Sequence, residues 1–329
     1  MFASNNMTEF FKRGVVVVSI DTERMWGYHD LLNEEQFRTR FPDSPGAHEK
    51  LLSRLCQAQL GATWLLVGGL ALRDSGGNSD RRISGLLPER VQVPAGGEIT
   101  APLWYCRSFL QDLRQAWPPQ EIGLHGGLTH LVWTDARSTA EMARRELAEG
   151  IMALAFPCGR PLSFSYPRNQ EAHHHLLPQH GLRCFRGCPP ALAWKLGSTL
   201  PGAVLRAYEE VSRKTPPVVW PQQVIPGLWS IPASMFLYPM GALRNRLIGL
   251  RSRFERFRCG VESAARHRAV FHFGLHPENL VESPGGFSVI EDILELLVLA
   301  RERGDVEVMT MKDVVDRMER NQPYACQRN

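Results

Sequence analysis

The most regular hydrophobic pattern in the chain is Val15–Ile20, VVVVSI, with apolar side chains at successive positions. Such a run has no polar face, the signature of a strand covered on both sides in a parallel sheet. It leads directly into Asp21-Thr22-Glu23. Ala47–Leu60 then places Leu51, Leu52, Leu55 and Leu60 on one side of a helix. Thr63–Val67 predicts a second strand, closed by Gly68-Gly69. Ala101–Trp117 has a helical pattern that Pro118-Pro119 stops, and Glu121–His125 is a third strand. Asp135–Ala155 predicts a long helix, with Ser138 as its cap and Glu141 completing a capping box.

The alternation continues to the end of the chain. Strands are expected at Ser163–Tyr166, Arg183–Phe185, Leu228–Ile231, Ala269–Phe273 and Val306–Met309. Helices are expected at Glu171–Gln179, Ala242–His267, Phe287–Arg303 and Lys312–Arg320. Two stretches resist this reading. Residues 73–100 are rich in Gly, Ser, Asp and Arg, a long loop of the kind that walls a substrate cleft. Residues 187–226 are Pro-rich. Repeated strand–helix units imply an α/β fold with a parallel sheet in a single domain, and about seven or eight such units suit a closed barrel. The expected boundaries are an N-terminal extension at 1–14, the barrel at 15–320 and a C-terminal tail at 321–329.

Composition narrows the functional classes. With 43% hydrophobic and 22% charged residues, the 329-residue chain is that of a folded domain. A net charge of +4 is too small to argue for nucleic acid without a clustered motif. No apolar run reaches spanning length and no signal-like segment opens the chain, so a cytoplasmic location is expected. Seven scattered cysteines fit free thiols, and Cys184 and Cys188 are expected to pack rather than ligate.

The candidate chemistry falls just after the predicted strands, where a parallel barrel builds its site. Asp21 and Glu23, two apart on extended backbone, direct both carboxylates to the same side. His125 and His130 flank Gly126-Gly127 in EIGLHGGLTH, and imidazoles are common ligands for zinc-like ions. Arg168 and His276 also follow strands. Taken singly each has an ordinary explanation: a strand-end salt bridge for the carboxylates, a solvated surface for His173-His174-His175, a core position for His272.

VSIDTE, EIGLHGGLTH, FSYPRNQ and FHFGLHPEN, in this order, resemble the motifs of the polysaccharide deacetylases (NodB homology, carbohydrate esterase family 4). They are most similar to the cytoplasmic branch associated with polysaccharide biosynthesis. The resemblance covers about residues 15–315 and implies a distorted (β/α) barrel of about seven parallel strands that hydrolyses an acyl group on a sugar with a divalent metal, zinc in type. It implies Asp21 as the base, and Glu23, His125 and His130 as metal ligands. Arg168 is then the residue that holds the base, and His276 the acid. Two departures stand out. The histidines are spaced i, i+5 instead of i, i+4, and Thr22 occupies the position of a common metal aspartate. Trp194 is the candidate for the family's tryptophan motif.

The implied partner is an amino-sugar glycan or a lipid-linked sugar. The eight arginines of Leu243–Arg268 suggest peripheral contact with the inner membrane face, against an ordinary helix with a charged outer side. Two other readings remain open on sequence grounds: a degenerate barrel that binds a glycan or a partner without catalysis, and a hydrolase of a non-sugar amide.

Overall fold

A computed structural model describes residues 10–191, 194, 199–238, 248–282 and 284–321. Strand β1 (Gly14–Thr22) lies at the centre, all nine of its residues buried. One edge pairs in parallel with β9 (Val270–Leu275). The other edge is shared: Gly14–Val17 pair with β10 (Val306–Met309), and Ser19–Thr22 pair with β2 (Thr63–Leu66). From β2 the sheet continues in parallel through β3 (Glu121–His125), β4 (Ser163–Ser165), β5 (Cys184–Gly187) and β7 (Leu228–Pro232). Strand β8 (Met235–Leu237) extends the far side of β9, and β6 (Gln222–Ile225) adds an antiparallel edge to β7. The result is a curled, mostly parallel half-barrel. Its two edges approach where the β7–β8 connection crosses, with Ser234 N–H donating to the His272 carbonyl at 2.7 Å.

Residues two apart on β1 share a face. Val16, Val18 and Ile20 pack outward into the main core with the helices. Val15 and Val17 pack inward with Leu65, Ile231 and Val270 over Phe11 and Met311. On that same inner face Ser19 and Asp21 follow. The barrel interior is therefore apolar at its floor and polar at the carboxyl ends of the strands.

The helices that cover the outside are α1 (Glu34–Arg40), α2 (Ser44–Gln57), α3 (Arg107–Gln115), α4 (Ala140–Cys158), α5 (Leu176–Gln179), α6 (Leu200–Val211), α7 (Leu250–His267), α8 (Gly286–Glu302) and α9 (Met311–Arg320). Three differ from expectation for identifiable reasons. Helix α3 starts late because the backbone before it serves the loops around β1, with Leu103 O accepting from Met25 N–H and Cys106 N–H donating to Leu70 O. Helix α4 is capped by Thr139, whose hydroxyl accepts from Met142 N–H, while Ser138 instead donates to Val132 O. Helix α5 is a single turn, so the three histidines precede it, and His174 stacks on Phe185.

In the basic stretch, 243–247 lie outside the described residues. On α7, Arg253 and Arg256 are buried and Arg258 pairs with Glu255 and Glu262. No helix among the described residues is long and apolar enough to cross a membrane.

Candidate functional site

The polar end of the inner face converges on one oxygen. Glu23 Oε1 lies 2.9 Å from His125 Nε2 and 2.9 Å from His276 Nε2, with His130 Nε2 at 3.8 Å. The two imidazoles of β3 and its following loop face each other, Nε2 to Nε2, at 3.2 Å. Asp21 Oδ2 stands 3.5 Å from His276 Nε2. Asp21, Glu23, His125 and His130 are all buried, whereas the His276 side chain keeps 27% exposure and forms the rim. The carboxyl ends of β1, β3 and β9 thus bring together five of the six expected residues.

Local sequence explains how they reach this point. The Glu23 carboxylate folds back over Gly27, where a Cβ would lie 1.5 Å from Glu23 Oε2. His125 ends β3, and its Nδ1–H faces the Ser165 carbonyl at 3.1 Å and hydroxyl at 2.7 Å. A carbonyl can only accept, so Nδ1 carries a proton, and Nε2 is the ring atom that faces the Glu23 carboxylate. A contact of 2.9 Å between this nitrogen and a carboxylate oxygen is one that a proton on Nε2, or a cation between the two, would hold. The extra residue between the histidines is absorbed by left-handed backbone at Gly126 (φ +73°) and His130 (φ +64°).

Arg168 is not part of this arrangement. It occupies a 3-10 turn with φ 55° and pairs with Asp30 at the half-exposed surface. Arg186, at the end of β5, holds Asp21 instead. Its Nη1 donates to Oδ1 at 2.8 Å and its Nη2 to Oδ2 at 2.7 Å, a bidentate pair within the barrel mouth. The FSYPRNQ motif contributes Asn169, whose Oδ1 accepts from Arg186 Nη2 at 3.3 Å. Sequence carried a signal for Arg186, since it directly follows the predicted strand Arg183–Phe185. Behind it runs a chain of hydrogen bonds. Arg186 Nη1 donates to Ser19 Oγ (3.2 Å), the Ser19 hydroxyl to His272 Nε2 (2.9 Å), and His272 Nδ1–H to Ile231 O (3.0 Å).

The charges follow from these contacts. Burial would raise the Asp21 carboxyl, yet Arg186, aided by His125 and His276, holds it below its ordinary value. Burial likewise opposes ionisation of Glu23, and the surrounding imidazoles pull it well down. Burial lowers His276, but Glu23 and Asp21 outweigh it and push the ring up to about 9. His130, buried and near a second imidazole, falls to about 3 and is neutral.

A cleft opens beside His130, bounded by His29, Leu86, Arg90, Leu131 and Met142. Loop 73–100 supplies part of its wall, as its composition suggested. Trp194 lies in a further layer, its ring 5.1 Å from Phe236, which in turn covers the Arg186 guanidinium. Cys184 is buried beside Ser163, and Cys188 Sγ faces Asn169 O, so neither joins the residues gathered at Glu23.

No protein-family model matches the sequence, and no curated protein matches it. Solved structures do. A Mycobacterium smegmatis protein assigned as a polysaccharide deacetylase is 16% identical, covering 96% of this chain and 94% of its own, with a TM-score of 0.60. One from Pseudomonas aeruginosa PAO1, assigned likewise, is 10% identical over 94% and 92%, with a TM-score of 0.59. The chain has the polysaccharide deacetylase fold. The fold does not fix the reaction, because the PuuE allantoinase matches almost as well: 11% identity, 94% and 91% coverage, TM-score 0.58. For this deacetylase-fold chain, activity has to be argued from the side chains.

Proposed function

We propose that this protein is a metal-dependent hydrolase that removes an acetyl or similar acyl group from an amino sugar of a glycan. The observation that carries the reading is the convergence on Glu23 Oε1 of three imidazole nitrogens beside a bidentate-held carboxylate, at the strand ends of this fold. Glu23, His125 and His130 form a donor set of one oxygen and two nitrogens within mutual reach, and that set suits a zinc-like ion. A divalent cation there would polarise the acyl carbonyl and acidify the attacking water.

The remaining residues are assigned by position. Asp21, kept ionised by Arg186, accepts the proton of the attacking water. Arg186 fixes both carboxylate oxygens, so the base cannot rotate away during attack. His276, at the open rim, donates a proton to the departing amine, which cannot leave as an anion. Burial of the other five residues, Arg186 included, excludes bulk water from the reacting atoms.

The proposed partner is an amino-sugar glycan, free or lipid-linked. On the described part of the basic stretch, Arg251, Arg266 and Arg268 are the exposed arginines left to meet an anionic surface. Salt-dependent binding to anionic vesicles would support a peripheral location, and its absence would remove it.

The deciding experiment is acetate release from a panel of N-acetylated sugars, with allantoin as a non-sugar amide, using metal-replete protein. Acetate released by wild type, and abolished in Asp21→Asn with metal retained, supports the deacetylase reading. Turnover of allantoin alone would favour the amidohydrolase reading that the PuuE neighbour raises. Binding of sugar without metal or turnover would favour a non-catalytic barrel.

A further inference from the structure

The histidine spacing creates a problem that the loop must solve. Residues 126–131 turn back within one strand end, with two left-handed positions, and one of them is a histidine. A non-glycine residue at positive φ is strained, and such strain persists only where surroundings over-determine the backbone. The loop's backbone is held by hydrogen bonds on both sides. Gly127 O accepts from Gly68 N–H at 2.7 Å, and Leu128 O from Gly69 N–H at 2.8 Å. On the opposite side stands Glu146 of α4, fully buried.

The Glu146 carboxylate accepts from Thr129 N–H at 2.7 Å, from Leu131 N–H at 3.0 Å and from the Thr129 hydroxyl at 3.0 Å. Its own backbone carbonyl accepts from Leu128 N–H at 3.0 Å. The two bonded amides bracket His130 on either side. Gly127 has no room for a Cβ against Glu146, so carboxylate and loop are packed without slack. No cation pairs with this carboxylate among the bonds of the described residues. Its charge is met by N–H and O–H donors of the loop alone, which makes it a template for that backbone.

We infer that Glu146 is a positioning residue for His130: it holds the left-handed turn that lets an i, i+5 histidine pair converge on one ion. The inference rests on the metal reading above for its consequence, and on loop geometry for its substance. It assigns a role in the site to a residue 16 positions beyond His130 on a different element, outside all four motifs.

Two readouts test it. In metal-free protein, hydrogen exchange at Thr129 and Leu131 should accelerate at least tenfold in Glu146→Gln, with the rest of α4 unchanged. In metal-binding assays with zinc and cobalt, the same variant should lose about 10- to 100-fold in affinity and shift the cobalt absorption bands. Glu121→Gln is the control. That half-buried carboxylate caps α9 through Lys312 N–H at 3.0 Å and accepts from the Thr63 hydroxyl at the barrel floor. It should reduce stability and leave metal affinity unchanged. Combining Glu146→Gln with His130→Ala should cost no more affinity than His130→Ala alone, because the first acts through the second. Wild-type exchange rates at both amides in Glu146→Gln would overturn the inference. Additive losses in the double variant would do the same. A wild type that binds no metal, with exchange accelerated as expected, would refute the metal reading and leave the positioning role standing.

Discussion

Arg186 grips Asp21 through two parallel hydrogen bonds across 165 residues of sequence, and both side chains are almost wholly buried. Removing one member of such a pair leaves an uncompensated charge, at a cost of about 3–5 kcal/mol. Arg186→Met should therefore lower the melting temperature strongly. Arg186→Lys keeps the charge but not the planar fork, so Asp21 loses its orientation. That variant should stay folded and lose about 100-fold or more in kcat, in line with the cost of small misplacements near reacting atoms. Arg168→Ala removes only a half-exposed pair worth less than about 1 kcal/mol and should retain activity. Thermal melts and kinetics on the three variants check the assignment. Inactive Arg168→Ala beside active Arg186→Lys would reverse it.

A second expectation concerns Gly27, whose φ is not left-handed, so alanine there meets no backbone strain. The Cβ would instead occupy the place of the Glu23 carboxylate. Gly27→Ala should fold, and should lose metal affinity nearly as fully as Glu23→Ala. Metal content after dialysis measures this. Retention of a full equivalent would show that Glu23 Oε1 is not the hub of the site.

The strands were legible because their periodicity is unusually clean. Val15–Ile20 announced a doubly covered strand, and the rule that polar residues follow strands found Asp21, Glu23, His125 and His276. Helix starts were harder, since Thr139 and Ser138 are equally good caps and only tertiary demand for the Ser138 hydroxyl by Val132 O chose between them. Arg168 misled because motif position stood in for geometry. A guanidinium reaches Asp21 as well from β5 as from the turn after β4, and no local pattern distinguishes the two. Glu146 was illegible for a related reason. It looks like any helical glutamate until the loop it serves is in place.

A third expectation follows from His272, which lies fully buried between Ser19 and Ile231. Burial, reinforced by nearby Arg186, lowers its pKa to about 3, so the folded protein keeps the ring neutral. The unfolded chain protonates it below about 6.5. As pH falls from about 6.5 towards 3, the unfolded state binds the extra proton, and this residue's contribution destabilises the fold by up to about 1.4 kcal/mol per pH unit. His272→Gln should reduce the slope of stability against pH in that window by up to one proton. Denaturant melts of metal-free protein at several pH values provide the test. An unchanged slope would mean that the ring already titrates near its ordinary value in the folded state.

The metal itself should be visible as stability, since an ion that binds only the folded site stabilises by mass action. At a free concentration 100 times Kd the gain is about 2.7 kcal/mol. Chelation should lower the melting temperature of wild type, and zinc or cobalt should restore it in a concentration-dependent way. The same treatment should leave His125→Ala unmoved, because that ring supplies a nitrogen 2.9 Å from Glu23 Oε1. Asp21→Asn should still respond to metal despite lacking turnover, because Asp21 is held by Arg186 and lies outside the Glu23, His125 and His130 group. Melting curves for the three proteins, with and without chelator, separate ligand from base in one experiment. If Asp21→Asn also became indifferent to metal, Asp21 would have to be counted among the ligands, and the proton acceptor would have to be sought elsewhere.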